Sequence, residues 1–278
     1  MDFPIVSLIN YVFDYKCQSI RITSNNIYLG ERMSVSNWKE REREQRRNDI
    51  LDAAETLFFS KGYDNVSMNG IAKEVGLGKA TLYIYFDNKE ELFYAVVLRG
   101  VTVLNTMIKE KVEKEDTGLE KLIAFKKAYN EFIRTYTDYF QTYNYFQSGR
   151  FDLSDMLHSD YSEIMMQSTL YSIHLPSNFL KVDANETIKE IFKLRKEIFF
   201  TLYKSIELGI KEGTIRSDVD PLKITAVQML ICENVGNLPF DFRMILKGQG
   251  VNYVKFTKDL DDFISQLYIK MDDKKDLD

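Results

Sequence analysis

An all-α fold is predicted by three features of the 278-residue chain. Apolar residues recur three and four positions apart through most segments, only four prolines and thirteen glycines interrupt them, and the interruptions fall where helix caps belong. The first long helix is expected to start at Ser36 or Asn37, with Glu40 placed to complete a capping box for Asn37, and to end at Lys61-Gly62. Its buried stripe is Ile50, Leu51, Ala54, Leu57 and Phe58. Ser67 is a suitable N-cap for a second helix, Gly78 precedes a third over about Lys79 to Phe86, and Asn88 can cap a fourth running from Lys89 to about Glu113. After a break at Asp116-Thr117-Gly118, the spacing predicts helices over 119–147, 153–171, 185–212, 221–236 and 252–270.

The length suggests two domains, and 45% hydrophobic residues suffice for a packed core. Net charge is −5, and residues 36–92 carry nine Lys or Arg against eleven Asp or Glu, so any affinity for nucleic acid must come from local placement of charge. The two cysteines, Cys17 and Cys232, lie far apart and outside any Cys-x-x-Cys or Cys/His pattern, which predicts no disulfide framework, no metal site and a reducing, cytoplasmic setting. No run of 18 apolar residues and no basic-then-apolar leader occurs, which argues against a membrane partner and against secretion.

Residues 67–89 are the most specific segment. Ala72 is small enough for two helices to cross, Gly76 can take the left-handed conformation between them, and Ile71, Val75, Leu77 and Leu82 can close a small core. That is the spacing of a helix-turn-helix, whose second helix can lie in a major groove. Leu82 with Tyr85 or Phe86 should pack inward, leaving Lys79, Ala80, Thr81, Tyr83 and Ile84 for DNA. Thr81 can donate to a base or phosphate, Lys79 can reach guanine or phosphate, and Ala80 or Ile84 can touch a thymine methyl.

From Ile50-Leu51-Asp52-Ala53-Ala54 through Leu57-Phe58, Gly62-Tyr63, Ile71-Ala72, Gly76 and Thr81 to Phe86, ending at Lys89-Glu90-Glu91-Leu92, the chain resembles the DNA-binding domain of the TetR family of transcriptional regulators. The resemblance implies phosphate contacts from Ser67, Tyr83, Tyr85 and Lys89, with Lys89 helped by the positive end of the fourth helix. It also implies a contact from Arg46 or Arg47 near the start of the domain. Gly78, Ala80 and Ile84 depart from the family's usual serine, glycine and polar residue. Core packing is the plain alternative for Tyr83 and Tyr85, and a solvated face of intrahelical ion pairs is the plain reading of the charged run Lys39 to Arg47.

Residues 1–35 stand outside the family pattern. Either translation begins at Met33, preceded by codons resembling a ribosome-binding site, or the segment is a disordered or loosely docked extension. The expected organisation is this extension, a three-helix helix-turn-helix domain over 36–92, a helical ligand-binding and dimerisation domain over 93–271, and a polar tail over 272–278.

In the second domain an apolar stripe alternates three and four apart at Leu122, Phe125, Tyr129, Phe132, Tyr136, Tyr139, Tyr143 and Phe146. Most of it must be core, yet buried tyrosines need hydrogen-bond partners, and the family's second domain holds an inducer pocket. Phe125, Tyr129, Phe132, Tyr136, Tyr139 and Tyr143, with Met165 and Met166 as adaptable walls, are therefore the expected ligand-binding residues. Asp138 or Glu131 could face a cationic ligand. The segment 185–212 has two apolar faces, one carrying Ile191, Ile198 and Leu202 with small Ser205 and Gly209, the other Phe192, Phe199, Tyr203, Ile206 and Ile210. By resemblance this helix and the next form a four-helix bundle across a two-fold axis, and Ile191, Ile198, Leu202, Ser205, Gly209, Ile224, Val227 and Ile231 are expected at the dimer interface.

No Gly-x-Ser-x-Gly, phosphate-binding glycine loop or His-Glu-x-x-His occurs, so an enzyme is not expected, and neither a cofactor nor a metal is. The expectation is a homodimeric repressor of a pseudo-palindromic double-stranded operator, released by a small hydrophobic or aromatic effector. The alternative is a DNA-binding factor without a ligand, constitutive or controlled by a partner.

Overall fold

The computed structural model describes residues 35–148, 150–151, 186–234 and 238–269. Contacts divide the chain into residues 1–44 and 45–278. Of the first unit, residues 35–44 are the helical start of α1 (Val35–Lys61), where Trp38 is exposed. This start lies slightly upstream of the expected Ser36 or Asn37.

The second unit continues with a short 3-10 turn at Tyr63–Asn65 and helices α2 (Met68–Val75), α3 (Lys79–Leu82), α4 (Lys89–Val112), α5 (Gly118–Thr135), α6 (Thr137–Phe146), α7 (Glu186–Glu212), α8 (Pro221–Asn234), α9 (Phe240–Gly248) and α10 (Tyr253–Ser265). The local chemistry explains the boundaries. Ser67 Oγ accepts from Gly70 N–H, Asn88 Oδ1 accepts from Glu91 N–H, and Thr117 and Glu120 form a reciprocal capping box. Gly76 ends α2 at φ 71°, ψ 28°, where a side chain would be strained, and the Leu77 N–H donates to the Ala72 carbonyl at 2.8 Å.

Helices α4, α5 and α7 pack on one another and form the centre of the unit, with α6 lying on α4. Helix α4 is long and apolar enough to cross a bilayer by length and composition. Its residues Leu92 to Val97, Val101, Leu104 and Ile108 are nevertheless buried in the protein core, which accounts for their apolarity. The N-terminus of α5 meets α7 at closest approach: a Cβ on Gly118 would sit 2.0 Å from the Gly209 nitrogen and 2.5 Å from the Ser205 carbonyl oxygen. The small residues Ser205 and Gly209 are what let the two backbones meet. Lys126, also buried, holds α10 through Asp261 at 2.8 Å and Ser265 at 3.0 Å.

Four expectations change. The single helix over 119–147 is two, broken at Tyr136 (φ −121°, ψ 45°), because a one-residue interruption leaves the three-four spacing intact. The third helix is regular only to Leu82 and continues as turns. Helix α9 lay outside the expected elements; it buries no residue, and Phe240, Phe242, Met244 and Ile245 are exposed. Finally, Ile191, Ile198 and Leu202, expected at a dimer interface, are fully buried within the chain, with Ser205 and Gly209 beside them, and Tyr203 and Ile206 of the other apolar face are buried as well, because α7 packs between several helices. The helix 153–171, and Met165 and Met166 with it, lies outside the described residues.

Candidate DNA interface and interior site

The helix-turn-helix separates its inward and outward side chains as the spacing demands. Leu82 and Phe86 are buried with Ile71 and Ala72, while Tyr85 is half-buried. On the other side Lys79 and Ala80 are exposed, as are Tyr83 and Ile84, the latter by 67%; Thr81 is half-buried. Ser67 is exposed, and its hydroxyl keeps a proton to donate after capping Gly70.

Three cations on this side are organised by aromatic faces. The Arg47 guanidinium lies 4.7 Å from the Phe86 ring centre, Lys79 Nζ 5.7 Å from that of Tyr83, and Lys89 Nζ 4.0 Å from that of Tyr63. Lys89 also donates to the Tyr63 carbonyl at 3.1 Å, so part of the ammonium expected to hold phosphate is engaged by the protein itself. Arg46 is half-buried next to Arg47.

Behind this surface, α1 is tied to α4 and α6 by a network that crosses long sequence distances. Arg99 Nη1 donates to Asp52 Oδ1 at 2.5 Å and to Glu55 Oε2 at 2.9 Å, and the Tyr139 hydroxyl donates to the same Glu55 oxygen at 2.7 Å. Burial pushes the Glu55 carboxyl above its ordinary range, against the pull of Tyr139 and Arg99. The Tyr139 ring stands edge-on to Phe59, centroids 5.1 Å apart, and fills the space that a Cβ at Gly100 would need, its nearest atom 2.8 Å away. A second tie is aromatic. Tyr63 packs on Phe93 at 4.8 Å, Phe93 stacks on Phe151 at 5.2 Å, and the Tyr145 hydroxyl donates to Asp64 at 3.0 Å.

Among the described residues a small cavity of about 10 Å³ lies between α4, α5, α6 and α7. Tyr129, Phe132 and Tyr143, three of the expected ligand-binding residues, line it with Phe140 and Arg195. Phe125, Tyr136 and Tyr139 do not. Phe125 is fully buried in the core, Tyr136 sits at the helix break, and Tyr139 turns to Glu55. Arg195 was missed by the sequence reading, and its partner Glu233 on α8 with it. The signal was available: Arg195 stands four residues after Ile191 and three before Ile198, a cation in the register of a buried stripe. Its guanidinium lies 4.8 Å from the Tyr143 ring centre. Burial pushes the Tyr129 hydroxyl far up, with the Arg195 charge pulling it back.

Residues 50–96 match the family model described as bacterial regulatory proteins, tetR family. A Staphylococcus aureus (strain MRSA252) relative, the HTH-type transcriptional regulator SAR2658, is 30% identical over 144 residues, covering 45% of this chain and 78% of that protein. The chain spans about half the length of the other curated Staphylococcus aureus regulators it matches. Similar solved structures include a transcriptional regulator from Saccharomonospora viridis in complex with choline, 18% identical with a TM-score of 0.55, covering 82% of this chain and 99% of that one. AibR in complex with isovaleryl coenzyme A and operator DNA is 18% identical with a TM-score of 0.50, covering 80% and 97%. At these identities the structures share the fold. Family model, relative and helix-turn-helix geometry agree: the chain belongs to the TetR family of transcriptional regulators, DNA-binding proteins and not enzymes.

Proposed function

We propose that the protein is a homodimeric, cytoplasmic repressor whose operator affinity falls when a small molecule occupies the interior site. The observation that carries this reading is the connection between the two places. Gly100 and Phe140 line the cavity, and their chain neighbours Arg99 and Tyr139 hold Glu55 on the helix that opens the DNA-binding region. A ligand that parts α4 from α6 shifts the Arg99–Glu55–Tyr139 contacts and with them the seat of the helix-turn-helix, provided that it binds the two states with different affinity. The division into residues 36–92 for DNA and 93–271 for effector and self-association is part of the proposal, with α4 common to both.

For DNA, Lys79, Ala80, Thr81 and Ile84 read the major groove, while Arg46, Arg47, Ser67, Tyr83, Tyr85 and Lys89 hold phosphates. Because a dimer presents this surface twice, a pseudo-palindromic operator follows. For the dimer, α8 offers the exposed Val227 and Leu230 with half-buried Ile224 and Ile231. A charge at Leu230 should yield a folded monomer. The small cavity favours a second reading, a family member without an effector.

The deciding experiment is a binding assay on DNA flanking the gene, with and without a small-molecule extract of the source cells. Retarded DNA that the extract releases supports the repressor. Binding indifferent to every extract supports the second reading, and no binding to any flanking promoter would reject both.

A further inference from the structure

We propose that the interior site takes a carboxylate on a compact apolar body, and that the ligand's carboxylate replaces Glu233 on Arg195. This rests on the effector reading above and specifies its chemistry.

The cavity has two unlike ends. Phe132 and Phe140 are buried and apolar, whereas Tyr143 and Arg195 are half-buried beside the Tyr129 hydroxyl. Among the described residues Arg195 is the one charged side chain in the lining. The Tyr129 oxygen is buried, and Arg195 is the charged side chain beside it. The fixed polar groups at this end are thus N–H and O–H donors, and donors call for an acceptor-rich ligand head. A guanidinium favours a planar anion that takes two parallel N–H bonds, which a carboxylate provides and an amide or ammonium does not.

Charge balance then decides the fate of Glu233. Arg195 and Glu233 form a mostly buried pair, with side chains 16% and 17% exposed. Adding a further carboxylate beside Glu233 would bring an extra negative charge into a half-buried site, which is costly. Exchange of one carboxylate for another leaves the charge of the site unchanged. Glu233 stands at the C-terminal end of α8, where it can turn to water, and its release loosens α8 from α7. The cavity as it stands has room for roughly one water-sized group. Admission of the apolar body therefore requires Tyr143 and Arg195 to move, which is the movement that breaking the Glu233 pair permits.

The exchange predicts opposite effects from the two partners. The full chain is titrated with aromatic and branched carboxylates of six to ten carbons, each beside its own amide and amine, and followed by melting temperature and by release of operator DNA. Carboxylates alone should stabilise the protein and release DNA. Glu233→Gln removes the competitor and should tighten carboxylate binding about tenfold, while Arg195→Met/Glu233→Gln, which removes both charges of the pair, should abolish it. Arg195→Lys should recover part of the affinity.

Stabilisation by the amides or amines would overturn the carboxylate assignment and leave the effector reading intact. Weaker carboxylate binding in Glu233→Gln would overturn the exchange. Silence of every carboxylate would reject the inference, and only silence of the cell extract as well would reject the effector reading beneath it.

Discussion

The helix-turn-helix and the α7 region carry apolar stripes of similar quality in sequence, yet one could be oriented from spacing and the other could not. In residues 67–86 each helix is short and buries one side, so Ile71, Ala72, Leu82 and Phe86 go inward and Ile84 is left outside. Helix α7 has apolar residues on two sides and meets α4, α5 and α8. Which side faces inward is settled by a feature remote in sequence, Gly118 pressing against Ser205 and Gly209. An apolar face identifies a contact; only the partner's shape identifies which contact.

The largest expected effect tests the burial of the Leu202 side of α7. Leu202 is fully buried, so Leu202→Glu places an unpaired charge in the core at a cost of about 3–5 kcal/mol. The variant should fail to fold, whereas Leu230→Glu at a 60% exposed position should change monomer stability by no more than about 0.5 kcal/mol and lower only self-association. Circular dichroism melts beside light scattering separate the two. A well-folded monomer from Leu202→Glu would restore this side of α7 to the dimer interface.

A smaller effect is expected where the two regions are joined. Tyr139→Phe keeps the ring against Gly100 and Phe59 but removes a hydrogen bond to an ionised partner, a loss of about 1.5–3 kcal/mol. Its pH dependence has a definite sign. Burial raises Glu55 above its unfolded value of 4.5, so this group's contribution is fully present below that value and is lost as pH rises through the higher folded value. Without Tyr139 one lowering influence is gone, the folded value rises further, and the loss extends to higher pH. Denaturant unfolding from pH 4 to 8 should show this in Tyr139→Phe and a flatter profile in Glu55→Gln; identical slopes in both would remove Glu55 from the linkage.

On the open surface, stability and function should part company. Tyr83 is 40% exposed, so Tyr83→Ala should leave the melting temperature nearly unchanged while weakening operator binding by roughly 0.5–1.5 kcal/mol on all sequences, as loss of a phosphate contact does. Thr81→Ala should instead change the order of preference among operators. Fluorescence anisotropy across a set of altered sites reads both, and a sequence-selective loss from Tyr83→Ala would move that residue to base readout.

What could be read from the sequence follows the range of the interactions. Caps at Ser67 and Asn88 and the turn at Gly76 involve neighbours within four residues, and they stand where the pattern put them. The interior site depends on pairs such as Arg99 with Glu55 and Arg195 with Glu233, 44 and 38 residues apart, which no local period reports. Their trace was nevertheless present. Glu55 lies four residues after Leu51 and three before Phe58, and Arg195 holds the same relation to Ile191 and Ile198. A charge in the register of a buried stripe must find a partner, so it marks a long-range contact before the partner is known.

The smallest expected effect concerns the start of α3, where the N-cap has no side chain. Gly78 begins α3 at φ −67° and ψ 145°, an ordinary extended conformation, with no side-chain cap hydrogen bond. A Cβ there would meet only the Thr81 side-chain oxygen, at a comfortable 3.8 Å. Serine therefore fits without strain, and its hydroxyl can accept from an N–H of the first turn. Because glycine is itself a tolerable N-cap, the gain should be only a few tenths of a kcal/mol, with a little more from reduced freedom of the unfolded chain. Differential scanning calorimetry of Gly78→Ser should show a small rise in melting temperature, with operator binding equal or tighter because the reading helix is held more firmly. A fall in stability would mean that α3 needs glycine at its start for a close approach absent from the free protein, and the place to look for that approach would be the DNA backbone.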